Sequence, residues 1–267
     1  QGVYQTTIRA NSIQGFNVGI RIQLLSSGNG SISTTTNNIS NNTIVGRKTA
    51  GQACIYLDNS RASVSRGKVV VNTSGNNISN SAIGIFNNGC KVTSSGDTIT
   101  SCWTGIQNGN RNNPSNTGDV YLNGGTRIAS CSASQNGGGI WNSGYLNISN
   151  ATIESNHATS GGGIQNVSGG NGGGNVVITG GTIRNNSATY GGGIATTSTV
   201  TTSGANYTGN SATDGGAIHI NNGASVTVNS GTFSGNKASN NGGAFMNWGG
   251  KLAVNNTTVS GNTASVY

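Results

Sequence analysis

The chain has 267 residues, of which only 7% are charged and 32% hydrophobic, while 46 are glycine and one, Pro114, is proline. That apolar share is thin for a two-layer globule, and the regular recurrence of apolar residues argues against disorder, which normally brings more charge and more proline. The net charge of +8 is uneven, because ten of the 13 Lys and Arg residues lie at or before Arg127; no apolar run approaches the roughly 20 residues of a bilayer-crossing helix, so no transmembrane segment is expected.

Abundant Val, Ile, Thr and Gly predict short strands joined by tight turns and almost no helix. The chain opens on a strand-like segment from Val3 to Ile13 and starts at Gln1 without Met, so it reads as a mature or excised piece. Two landmarks then recur. One is an isoleucine that recurs once per unit: Ile20, Ile55, Ile85 and Ile106 come first, in worn form. From residue 137 the same position is announced by glycines, as GGGI at Gly137 to Ile140, Gly161 to Ile164 and Gly191 to Ile194, GGAI at Gly215 to Ile218 and GGAF at Gly242 to Phe245, at spacings of 24, 30, 24 and 27 residues.

The second landmark is a hydrophobic residue followed three positions later by Asn: worn at Ile39, Ile78, Ile99 and Ile128, then clear at Ile153 with Asn156, Ile183 with Asn186, Tyr207 with Asn210, Phe233 with Asn236 and Val259 with Asn262. Between the landmarks lie stretches of period two, such as Val226-Thr227-Val228. A unit of this length with three short strands cannot bury a face alone and must stack on its neighbours. The prediction is therefore an all-β, right-handed parallel β-helix of about nine coils, one domain over 1–267 with degenerate repeats in 1–136 and clear ones in 137–267, with Asn156, Asn186, Asn210, Asn236 and Asn262 stacked as a hydrogen-bonded ladder.

The template makes further placements. Cys102 and Cys131 both fall on the Asn position of successive coils, which predicts a disulfide and an oxidising compartment, while Cys54 and Cys90 share no row. If the isoleucine of the first landmark points inward, the next residue should face outward, giving the row Arg21, Tyr56, Phe86, Gln107, Trp141, Gln165, Ala195, His219 and Met246, with Tyr56, Phe86 and Trp141 as a contact surface for sugars or a neighbouring chain. Arg47, Lys48, Arg61, Arg66, Lys68 and Lys91 form a candidate patch for polyanions, against the plainer reading of a solvated face.

Chemistry is sparse. The five acids, Asp58, Asp97, Asp119, Glu154 and Asp214, fall at five different template positions, so no pair is set for glycoside hydrolysis. Glu154 stacks beside Arg184 as an exposed ion pair. His157 and His219 lack ligand partners at metal-binding spacing and read as isolated surface residues, and no cofactor is called for. Nucleic acid has no recognisable motif. Twelve Asn-x-Ser/Thr sequons permit glycosylation, as at Asn38 and Asn147, without requiring it.

The pair Gly215-Gly216-Ala217-Ile218 and Phe233-Ser234-Gly235-Asn236 resembles the signature of the polymorphic membrane protein repeats of chlamydial outer-membrane adhesins, well over about the last 130 residues and faintly before. That resemblance implies a parallel β-helix used at the cell surface for adhesion. The functional expectation is a non-catalytic, extracellular or cell-surface structural or adhesive protein, able to act as a filament subunit by head-to-tail self-association. Its rivals are a carbohydrate-binding module and, more remotely, a polysaccharide lyase or glycoside hydrolase.

Overall fold

The computed structural model describes residues 5–23, 35–59, 69–111, 117–169 and 173–266. Every regular element among them is a strand, and every strand pairing is parallel, which makes the fold a right-handed parallel β-helix. Three sheets run its length. The first has ten strands, from Thr7–Arg9 to Lys251–Val254; the second has ten, from Ser12–Gln14 to Thr257–Ser260; the third has nine, from Val18–Gln23 to Phe245–Asn247. Ten coils are thus present where the repeat count suggested about nine. Nine steps of about 4.8 Å give an axial rise of about 43 Å. A fourth, shorter sheet, not anticipated from sequence, pairs Ser187–Tyr190, Ser211–Asp214, Lys237–Asn241 and Thr263–Ala264.

The strands are two to six residues long because each must alternate between core and solvent before a corner ends it. The core consists of columns. Ile20, Ile55, Ile85, Ile106, Ile140, Ile164, Ile194, Ile218 and Phe245 stack in the third sheet, in the register anticipated. The second-sheet column runs Ile13, Ile44, Ile78, Ile99, Ile128, Ile153, Ile183, Tyr207, Phe233 and Val259. Tyr207 and Phe233 are fully buried and lie face to face at 4.3 Å, as stacking of like on like requires.

Ile39 is a correction. It belongs to the first sheet, paired with Ile8, and Ile44 holds the second-sheet place assigned to it. Its spacing to Asn42 imitates the motif, but Asn42 sits at the corner before the second sheet and not after it.

The corners explain the polar composition. The residue before each clear ladder Asn takes a left-handed turn, at Ser155 (φ 54), Asn185 (φ 54) and Gly209 (φ 63), so Ser, Asn and Gly share that place. In the glycine run, a Cβ on Gly192 would stand 2.4 Å from the Ser211 carbonyl oxygen and 2.6 Å from that of Gly216, both backbone, so only glycine fits there.

The asparagine ladder is present as expected. Asn156 donates through its backbone N–H and Nδ2 to Asn186 Oδ1, both at 3.0 Å, and the same double contact repeats from Asn186 to Asn210, Asn210 to Asn236 and Asn236 to Asn262. Two more ladders were not foreseen. At the corner before the second sheet, Asn11, Asn42, Asn76 and Asp97 are linked in the same way, and Asp97 Oδ2 also accepts from Thr73 at 2.5 Å and Ser94 at 2.6 Å. At the corner after the third sheet, Asn87, Asn108, Asn142 and Asn166 pass Nδ2 to Oδ1 in succession, ending on Thr196.

Cys102 and Cys131 do fall on successive coils at the ladder corner, but the predicted bridge is not formed. Both are buried free thiols, and each turns its Sγ to the carbonyl two residues before it, Thr100 O at 3.4 Å and Ala129 O at 3.5 Å. Contact with Cys131 and burial push the Cys102 thiol well above its ordinary pKa. Cys54 and Cys90 are buried as well, and desolvation raises each to about 12.

Candidate functional site: a valley beside the third sheet

The predicted outward row is in register, Arg21 against Tyr56, Tyr56 against Phe86, then Gln107, Trp141, Gln165, Ala195, His219 and Met246. Its aromatic members are not the exposed platform expected. Phe86 is only 7% exposed and Trp141 5%. Residues one rung apart cover each other: Tyr56 and Phe86 stack at 4.7 Å, the Arg21 guanidinium lies 4.9 Å from the Tyr56 ring, and that of Arg111 lies 5.2 Å from Trp141. This row is better described as the floor of a valley.

One wall of the valley is the row Asn136, Ser160, Tyr190, Asp214 and Asn241, set at or beside the end of the fourth sheet. It meets the floor where Arg111 Nη2 donates to Asn136 O at 2.9 Å, where Ser160 Oγ bonds Gln165 Oε1, and where the Tyr190 and His219 rings lie 5.3 Å apart. Two cavities open along the valley. One, of about 460 Å3, is lined by Trp103, Thr104, Gln107, Arg111, Ser134 and Gln135 among others. The other, of about 400 Å3, is lined by Ser160, Tyr190, Asp214, His219, Asn221 and Trp248. Both volumes suit a small ligand or one unit of a longer one. Each has an exposed tryptophan, Trp103 at 39% and Trp248 at 65%.

The polar groups differ between the two. Arg111 is half-buried, and burial lowers its pKa. In the second cavity Asp214 Oδ1 accepts from Asn240 Nδ2, Asn241 N and Asn241 Nδ2 at 2.9 to 3.1 Å. His219, expected on the surface, is 5% exposed; its Nδ1 makes no hydrogen bond among the described residues. Burial holds its imidazole below the usual pKa, opposed by the Asp214 charge. His157 is exposed, as expected, and its Nδ1 lies 2.9 Å from Ser187 Oγ.

The remaining sequence candidates do not converge. Arg61, Arg66 and Lys68 lie outside the described residues. Arg47 and Lys48 follow a strand of the second sheet, whereas Lys91 opens one of the first, with its Nζ 5.0 Å from the Tyr121 ring, so these three do not make one patch. Glu154 does stack on Arg184, but it is a buried carboxylate held from both sides, by Arg184 Nε at 2.7 Å and by Arg127 Nε at 2.5 Å, a partner the repeat template did not supply. The five acids occupy separate rows, and among the described residues no three His, Cys, Asp or Glu side chains group as metal ligands. Also among the described residues, no helix is long and apolar enough to cross a membrane.

Trp103, Arg111, Tyr190 and Trp248 escaped the sequence reading because they lie at strand ends and turns, outside both landmarks. The one usable signal was Arg111, a lone cation in the long connection between Thr104–Asn108 and Asp119–Asn123. Compared with protein-family profiles, curated proteins and solved structures, the chain gives no match. The kinship to polymorphic membrane protein repeats therefore stays a resemblance of motif.

Proposed function

We propose that this chain is a non-catalytic structural and adhesive protein of the cell exterior whose valley holds a glycan strand along the helix axis. The observation that carries the reading is the pair of cavities on one face, each with an exposed tryptophan and with polar side chains beside it. Sugar rings stack on aromatic faces while their hydroxyls take fixed hydrogen bonds, so this combination suits saccharide. Gln107 and His219, one in each cavity, stand four rungs apart on the valley floor, about 19 Å at 4.8 Å per rung, room for several sugar units. The motif resemblance favours the same role, adhesion at a cell surface.

A glycosidase or lyase reading has less support, because the valley cavities contribute one carboxylate, Asp214, and glycoside hydrolysis ordinarily uses two. Binding on a glycan array, followed by titration of the best ligand against Trp103→Ala and Trp248→Ala, tests the proposal. Both variants should weaken binding with the fold intact; an array that stays blank refutes it.

Self-association is the second reading. The last strands of the first and second sheets have an unpaired edge, and Val254 and Val259 are 40% and 48% exposed there, a surface to which a further coil, of this chain or a second copy, would pair. Light scattering across a concentration series tests it: growth into rods supports stacking, and a constant 26.7 kDa species opposes it.

A further inference from the structure

Arg111 is a half-buried cation with no carboxylate beside it. Its Nε donates to Gln107 Oε1 at 3.3 Å and its Nη2 to Thr104 Oγ1 at 3.2 Å and to Asn136 O at 2.9 Å, all neutral acceptors. Among the described residues it pairs with none of the acids: Glu154 is held by Arg127 and Arg184, Asp97 by the first corner ladder, and Asp214 by Asn240 and Asn241. A charge taken out of water is costly unless an opposite charge or a full set of hydrogen bonds meets it, and proteins seldom carry one idle. Nη1 makes no hydrogen bond among the described residues, and Arg111 lines the 460 Å3 cavity with Trp103.

We propose that the Trp103 cavity takes an anionic sugar, its carboxylate or sulfate on the Arg111 guanidinium and its ring against Trp103. The inference rests on the glycan-holding reading above and names the class of sugar. A planar guanidinium matches the geometry of two anionic oxygens, and stacking over Trp141 keeps its plane fixed before the ligand arrives. The exposed Ser132, Ser134 and Gln135 supply the rim with groups for ring hydroxyls. The other cavity carries Asp214 in place of an arginine and should refuse the same acidic unit, so an acidic glycan would be held in one direction.

The test uses an array of neutral, uronate-bearing and sulfated oligosaccharides, then titration calorimetry of the best acidic ligand against its carboxyl-reduced or desulfated form. The wild-type chain should prefer the acidic form by about ten- to a hundred-fold, the range of a charge-assisted pair, with the preference shrinking as salt rises. Arg111→Gln should erase that preference while neutral ligands still bind, which also shows that the variant is folded; Arg111→Lys should keep part of it. Equal affinity for the two forms overturns the inference and leaves glycan holding standing. A preference that survives Arg111→Gln also overturns it, moving the effect to the general positive charge. No binding to any glycan removes the underlying reading as well. The uronate and sulfate arms distinguish the two sources of negative charge.

Discussion

Replacing Asn186 with alanine should destabilise the protein far more than the same change at Asn262, although both carry the same motif. Asn186 is fully buried; its Oδ1 accepts two hydrogen bonds from Asn156, and its Nδ2 donates to Ile153 O at 3.0 Å and Asn210 Oδ1 at 3.0 Å. Truncation strands the backbone N–H of Asn156 and one hydrogen of its amide, and it takes a donor from Ile153 and Asn210. At about 1 to 3 kcal/mol for each buried group left unmet, with two or more such groups, the expected loss is about 3 to 5 kcal/mol. Asn262 is half-buried in the last coil and closes a single step of the ladder, so its loss should cost about 1 kcal/mol. Urea unfolding followed by far-UV circular dichroism measures both, provided the transition is a single one with an unchanged slope. The double change Asn156→Ala with Asn186→Ala should cost less than the sum of its parts, because the second removal strands fewer groups. Equal costs at Asn186 and Asn262, or strict additivity within the pair, would refute the view of the ladder as a coupled network.

Three further outcomes follow from the same geometry. Burial raises the Glu154 pKa, but the hydrogen bonds and charges of Arg184 and Arg127 outweigh it, so the net shift is downward; the stabilisation is present above the unfolded carboxylate value and disappears as pH falls through the folded one. Because both arginines are 44% or more exposed, Glu154→Gln should cost only about 1 kcal/mol at pH 7, and its melting curve should converge with that of the wild type in acid; a constant offset would contradict the ion-pair origin. Gly192→Ala should abolish folding or lower the melting temperature sharply through crowding alone, whereas Gly235→Ala, at φ 63 with nothing within 4 Å of the added carbon, should cost about 1 kcal/mol of backbone strain; similar small losses at both would show that crowding does not govern the glycine run. Mild disulfide oxidants should link Cys102 to Cys131, read by non-reducing peptide mapping, because the thiols sit one coil apart; linkage to Cys54 or Cys90 instead would show that the corner opens.

The stacking direction and two of the core columns were legible because an isoleucine or phenylalanine after a glycine run marks one place in each of five successive coils from residue 137, and that run is fixed by backbone crowding. The clear half of the asparagine ladder was legible for a similar reason. Ile39 misled because two corners of this fold use the same device, a left-handed residue followed by a buried amide, so Ile39 with Asn42 and Ile153 with Asn156 look alike although they flank opposite ends of the second sheet. Alternation gave the outward direction of Phe86, Trp141 and His219 correctly, but direction is not exposure: neighbours on adjacent rungs and Arg111 from a connecting segment cover them. The valley itself depends on such connecting segments, whose spacing follows no period.

The three amide spines are staggered along the rod. The one before the second sheet ends at Asp97, on the fourth coil; the one after it begins at Asn156, on the sixth, reaching back only to the Cys131 backbone N–H; and the spine after the third sheet alone crosses the interval, through Asn108 to Asn142 at 2.7 Å. At the join between the fourth and fifth coils, two of the three corners meet through Ser94 with Thr126 and through Cys102 with Cys131, contacts softer than paired amides. A load drawn along the axis would there be carried at the corners by a single amide pair, beside the Trp103 cavity, and an oxidised Cys102–Cys131 pair would act as a rivet across that join.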